Sequence, residues 1–311
     1  MPYKFRSAQF FMSAYLKRYR VLRKVYSRFF DEERYQQFAV TDWVASGPAL
    51  LRRAGIKKAV VTENDVWVRL DGGLELRYVT EIPGAGVEPS VYRGLYEVAI
   101  IELILKELDN TSVFFDVGAN IGWFCLHVAH VYPEALCHAF EPGNFAFENL
   151  FKNVKRNDYA GRIRLNRAAV SDRVGTERLT NNQVGHALNH LVRAETTLAS
   201  ASSVVACTTL DAYCREHKLS RVDLIKCDVE GAELLVIRGG EAILRRYHPK
   251  LILEVSQEWM ERFGHTPLQL WDILRSYGYC YQIIAEDGSR TCTHDFVKDV
   301  GHGANVFFYP A

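Results

Sequence analysis

From about Tyr96 onward, short apolar runs alternate with amphipathic stretches, and this alternation constrains the fold more than any single motif. "SVFFDV" reads as a strand and "GWFCLHVAHVY" as the helix after it. "ALCHAFE", the helix "NFAFENLFKNVKRN" and the strand "RIRLNRAAV" continue the pattern. An irregular insertion follows, and then the helix "TLDAYCREH", the strand "VDLIKCD", the helix "GAELLVIRGGEAILRRY" and the strand "KLILEV". Strands separated by helices cannot pair as hairpins, so the expected fold is α/β, a mostly parallel sheet covered by helices on both faces. The last strands, "YGYCYQII" and "ANVFFY", have no long helix between them, which predicts an antiparallel closing strand. Such a sheet binds ligands at the carboxyl ends of its strands, near the point where strand order reverses.

The first ninety-five residues do not follow this rhythm. Residues 1–30 include "YKFRSAQFFMSAYLKRYRVLRKVYSRFF", which carries eight lysines and arginines and no acid. Phe11, Tyr15, Tyr19, Leu22, Tyr26 and Phe29 recur at steps of three and four, the spacing of one helical face. A basic amphipathic helix of this kind can lie on an anionic membrane surface, or pack on its own domain with the basic side solvated. Residues 31–95 form a second segment, helical to about residue 55 and then a small β-meander through "KKAVVTENDVWVRLDGGLELRYVTE". The loose stretch "IPGAGVEPS" marks the boundary before the main domain, 96–311.

Net charge is +1, so nothing global points to a nucleic-acid partner, and no basic stripe with interleaved aromatics follows the amino-terminal helix. The seven cysteines are scattered without a CxxC pair, which excludes a zinc knuckle and fits a reducing compartment. With neither a signal peptide nor a bilayer-spanning run, a cytoplasmic location is expected, peripheral at the inner face of a membrane if residues 1–30 lie on it.

The densest local signal is "FFDVGANIGWF", where Asp116 ends a strand and Gly118, Asn120 and Gly122 lead into a helix. A dinucleotide loop would read GxGxxG and hold pyrophosphate at the helix amino terminus. This loop does not, and an acid at its start suits a ligand with a cationic portion, such as an ammonium or a sulfonium. Glu141 in "AFEPGNF" ends the second strand, where a carboxylate can accept both hydroxyls of a ribose, or cap the next helix. A ribose acid without a pyrophosphate loop describes a nucleoside carrying an amino acid, S-adenosylmethionine.

"FFDVGANIGWF", "AFEPGNFAFENLFKNVKRN", "AAVSD" and "VDLIKCDVEGAELLVIRGG" together resemble the FkbM family of S-adenosylmethionine-dependent methyltransferases. The resemblance runs from about Tyr96 to Tyr309. It implies a class I methyltransferase (Rossmann-like) sheet of seven strands in the order 3-2-1-4-5-7-6, strand 7 antiparallel. It also implies methyl transfer to oxygen, commonly a hydroxyl of a sugar or other natural product. By the same resemblance Asp116, Gly118, Asn120 and Gly122 contact the methionine end of the donor and Glu141 its ribose. Ser171 and Asp172 form a turn near adenine, and Asp228 faces the donor.

"LIKCDVEGAE" supplies the second constellation. Strand alternation puts Lys226 and Asp228 on one face, Glu230 lies in the following turn, and Glu233 opens a helix. Methyl transfer by direct displacement needs alignment first, and an alcohol acceptor also benefits from a general base. The expected catalytic residues are Glu230 as base, Asp228 behind it, and Lys226 moderating them or holding the acceptor oxygen. His302 stands third as a base, with a plain loop histidine as its alternative. No resident metal is expected, although Asp228, Glu230 and Glu254 could converge on magnesium. The leading expectation is an O-methyltransferase acting on a glycan or lipid-linked saccharide. A polyketide or peptide acceptor, or a membrane-associated binding protein that has lost catalysis, are the alternatives.

Overall fold

The computed structural model describes residues 58–62, 65–78, 91, 94–180, 191–192 and 202–311. The basic segment 1–30, the helical reading of 31–55 and the boundary stretch 82–90 lie outside the described residues. The chain divides into two compact units, 1–67 and 68–311. Strands β1 (Lys58–Val61), β2 (Val66–Arg69) and β3 (Glu75–Arg77) come first along the described chain.

Helix α1 (Val98–Glu107) precedes the main sheet, whose first strand is β4 (Val113–Val117). Helix α2 (Trp123–Val131), β5 (Leu136–Phe140), α3 (Asn144–Arg156) and β6 (Ile163–Asn166) follow. The next strands, β7 (Ala169–Val170), β8 (Gly175–Thr180), β9 (Leu191–Val192) and β10 (Ser202–Thr208), leave that sheet and make a second one, order β7-β10-β8-β9. The chain returns through α4 (Leu210–Glu216), β11 (Leu224–Cys227), α5 (Glu233–Arg238), α6 (Glu241–Tyr247) and β12 (Lys250–Ser256). It closes with α7 (Gln257–Glu261), α8 (Pro267–Ser276), β13 (Tyr279–Ile284), β14 (Arg290–Thr291), α9 (Phe296–Val300) and β15 (Gly303–Pro310).

The main sheet reads β14-β13-β15-β12-β11-β4-β5-β6. β6, β5, β4, β11 and β12 pair in parallel, while β15 runs antiparallel to both β12 and β13. Numbered along the chain without the two-residue edge strand β14, the order is 3-2-1-4-5-7-6. The central strand β4, "VFFDV", is buried throughout, as a parallel strand covered on both faces must be. Phe115 packs with Phe140 and Tyr213, and the apolar residues of α5 and α8 close the same core. On the edge of the unit, β3 is tied to α3 by asparagines: Asn157 Oδ1 accepts the Glu75 amide and Asn153 Oδ1 the Arg77 amide.

Three local readings change. The segment after the third strand is not irregular, because its described parts form β8, β9 and β10. "RIRLNRAAV" is two strands, since β7 departs to pair with β10. "GAELLVIRGGEAILRRY" is two helices, broken at Gly239 and Gly240, where a side chain on Gly239 would meet the Ser171 carbonyl at 2.0 Å.

Candidate active site

A cavity of about 260 Å³ opens at the carboxyl ends of β4, β5 and β11. Strand order reverses at β4: later strands are added on the β5 side first and then on the β11 side. The loops leaving β4 and β11 therefore diverge and leave a cleft between them.

The loop after β4 is shaped by backbone packing. Gly118 has φ +81, and a Cβ there would lie 1.8 Å from the Asp228 carbonyl oxygen, so only glycine lets this loop pass the end of β11. Gly118 and Ala119 both donate their amides to the Phe140 carbonyl. Asp116 is fully buried, and its Oδ2 accepts the amide of Cys125, the third residue of α2, at 3.0 Å. It thus caps the first turn of that helix. Burial raises its pKa to about 6, against the opposing pull of the Lys226 ammonium and the Cys125 amide. Among the described residues its Oδ1 has no partner.

Glu141 joins the two loops. Its Oε2 accepts the Asn120 amide at 2.9 Å and its Oε1 the Gly143 amide at 2.7 Å. Burial lifts its pKa to about 7, with those two amides opposing. Each oxygen keeps a further lone pair for a ligand hydroxyl. The apolar side of the cavity beside it is made by Ala146, Ala169, Val170, Leu179 and Leu191, the last two from β8 and β9.

The opposite side is acidic. Lys226, 1% exposed, stands in register with Asp116 on the neighbouring strand and pairs with Asp228 Oδ2 at 2.7 Å. Its ammonium also lies 4.7 Å from the centre of the Phe124 ring. Burial alone would lower the pKa of this lysine, but Asp228, Glu97 and Glu254 outweigh it and hold the charge in place. For Asp228, burial pushes upward but loses to Lys226 and to a hydrogen bond from Glu254, so its carboxyl stays below the usual range. Glu254 moves the other way, raised first by the Asp228 charge and then by burial, so the shared proton sits on Glu254.

Glu230 occupies the turn between β11 and α5 with φ +55. Burial and then the charges of Asp228 and Glu233 raise its pKa to about 8. The turn is braced from below, for Glu233 Oε1 accepts the amides of Val229 and Gly231. Gly231 has φ +100, and a Cβ on it would come within 2.3 Å of the Trp259 carbonyl in α7.

Of the residues expected from the sequence, Gly118, Asn120, Glu141, Lys226, Asp228 and Glu230 line the one cavity. Asp116 and Gly122 do not; they build the helix entry behind it. Ser171 and Asp172 are not among its walls either. Ser171 is buried with its amide on the Thr208 carbonyl, Asp172 is exposed, and their neighbours Ala168, Ala169 and Val170 line the cavity instead. His302 is exposed and away from the walls. Asp228, Glu230 and Glu254 share the cavity, yet among the described residues no group of three or more histidine, cysteine or acidic side chains is set to hold a metal. Sequence reasoning missed Glu97, which lines the cavity from the start of α1 in a left-handed conformation, φ 43, that no motif announces.

A sequence profile described as the methyltransferase FkbM domain matches residues 116–281, just over half of the chain. Methyltransferase sdnD of Sordaria araneosa is 29% identical over 202 residues, 56% of this chain and 76% of that protein. 2-O-methyltransferase NoeI of Sinorhizobium fredii is 30% identical over 179 residues, 53% of this chain and 72% of NoeI. Hexuronic acid methyltransferase AglP of Haloferax volcanii is 28% identical over 143 residues, 46% of this chain and 56% of AglP. The matched span runs from Asp116 through both cavity loops to β13, and the chain belongs to the FkbM-domain methyltransferases.

Proposed function

We propose that the protein is an S-adenosylmethionine-dependent O-methyltransferase whose acceptor is a hydroxyl of a saccharide. One observation carries the donor assignment: among the described residues, five carboxyl groups and a single ammonium line the cavity. The carboxyls are Glu97, Glu141, Asp228, Glu230 and Glu254; the ammonium is Lys226. Acids pushed towards neutrality by burial and mutual repulsion ionise more readily against a ligand with net positive charge, and they disfavour a dinucleotide. The residues present fit the donor: Glu141 for the ribose hydroxyls, the apolar walls of β7, β8 and β9 for a flat base, and the Asn120 loop and Asp228 for the charged end. S-adenosylmethionine supplies, when bound, an electrophilic methyl group on a cationic sulfur.

The chain's own groups then divide the remaining work. Lys226 and Asp228 neutralise each other, and the low pKa of Asp228 makes it a poor proton acceptor. Glu230, with a pKa of about 8 at the rim, is matched to take a proton from an alcohol near neutral pH. Gly231 and Glu233 fix the turn that holds it. Transfer to oxygen is supported by the name of one relative, a 2-O-methyltransferase, and the saccharide by that of another, a hexuronic acid methyltransferase. Isothermal titration with S-adenosylmethionine tests the donor. Micromolar binding is expected, and absence of binding at millimolar ligand would remove the reading.

A further inference from the structure

We propose that Glu97 is the acceptor-binding residue of this site, and that the acceptor it selects is rich in hydroxyls and carries no anionic group. The proposal rests on the methyl-transfer reading above and specifies its second substrate. Glu97 enters the cavity from the start of α1, outside the span matched by the family profile, on the side where β12 ends and β15 begins. Its left-handed backbone, φ 43, is disfavoured for a side-chain-bearing residue, yet it is what turns the carboxylate into the cavity at the helix start.

The Glu97 carboxyl group has an unmet oxygen. Asn305, opposite Glu254 on the paired strand β15, is its polar neighbour, while Glu97 Oε2 is buried without a partner among the described residues. An unmet buried acceptor calls for a donor from the ligand. A hydroxyl supplies one, whereas a carboxylate or phosphate supplies none at neutral pH. Charge points the same way. Glu97 shares its wall with Asp228, Glu230 and Glu254, and Lys226, the cation among them, is already committed to Asp228. A uronate or phosphorylated acceptor would find no arginine or free lysine among the described walls to receive it, and its charge would be left unpaired there. Asn305 does not line the cavity and acts as a positioning residue that aims Glu97.

The test is methyl transfer from S-adenosylmethionine to matched pairs, the methyl glycosides of glucose, galactose and mannose against the corresponding hexuronates. The neutral member of at least one pair is expected to show a kcat/KM tenfold or more above its uronate. Glu97→Gln keeps an acceptor oxygen and adds amide donors that a carboxylate can accept, and is expected to narrow that ratio below threefold by admitting the uronate. Glu97→Ala and Asn305→Ala are expected to raise KM for the glycoside about tenfold with donor affinity unchanged in calorimetry, which also shows that the variants fold. Three results overturn the proposal while sparing the methyl-transfer reading. They are uronates turned over as fast as the neutral glycosides, donor binding without transfer to any neutral glycoside, and Glu97 variants that keep wild-type KM and selectivity. Failure to bind the donor at all overturns both.

Discussion

Glu230 and Asp228 stand two residues apart, yet their surroundings drive their protonation in opposite directions. Asp228 has Lys226 at 2.7 Å and a proton from Glu254, while Glu230 has burial and two neighbouring carboxylates against it. Glu230→Gln is therefore expected to leave donor binding intact and to lower kcat by about 10²- to 10⁴-fold, the range of a lost general base. In the wild type, a base must be deprotonated to act, so kcat/KM is expected to rise with pH and level off above about pH 8, the value for Glu230. That inflection should be absent in Glu230→Gln; a profile unchanged by the substitution would remove Glu230 from the role. Asp116 carries a different prediction, because its carboxylate caps α2 behind the cavity. Asp116→Ala should cost about 1–3 kcal/mol in urea unfolding, from the lost cap and the amide left unmet.

At the scale of elements, the site is the meeting of two turns that glycines allow to touch. The turn after β4 passes the end of β11 at Gly118, and the turn after β11 meets α7 at Gly231. Both positions combine positive φ with backbone, not a movable side chain, where a Cβ would stand. Gly231→Ala is expected to shift the Glu230 turn and to lower both melting temperature and donor affinity, with a stability loss of at least about 2 kcal/mol. Farther away, α8 begins with a capping box in which Thr266 accepts the Gln269 amide and Gln269 accepts the Thr266 amide. Thr266→Ala is expected to cost about 1 kcal/mol by denaturant unfolding with no change in donor binding. The pair of variants separates an element that shapes the cavity from one that only supports the sheet.

For the molecule as a whole, the acidic cavity links function to stability. Glu141, Glu230 and Glu233 rise from about 4.5 to about 7, 8 and 7 on folding. The folded state therefore holds more protons than the unfolded state between pH 4.5 and 8, and the contribution of these groups to stability falls as pH rises through that window. The urea midpoint is expected to be lower at pH 8 than at pH 5.5, and S-adenosylmethionine should restore more of it at pH 8, where the carboxylates are charged. A midpoint that rises across this range would contradict the assignment.

What the sequence determined by itself was whatever is written in local pattern. The apolar run "VFFDV" and its successors announced an alternating α/β chain, because a strand buried on both faces has no polar side to show. "DVGANIG" and "KCDVEGAE" announced the two turns, because positive φ and close backbone contact leave glycine few substitutes. The tertiary structure decided what each acid does, since that depends on which groups stand beside it in space. Asp116 became a helix cap through Cys125, and Glu141 a brace between loops through Asn120. Asp228 and Glu230 were set apart in protonation by Lys226, on the adjacent position of the strand face, and by Glu254 on the next strand. Glu97 stands beside Asn305 of β15, a pairing across some two hundred residues that no local spacing encodes. Charge acts through space at a range of a few ångströms, so the identity of the acids was legible from the chain and their roles were fixed only by the fold.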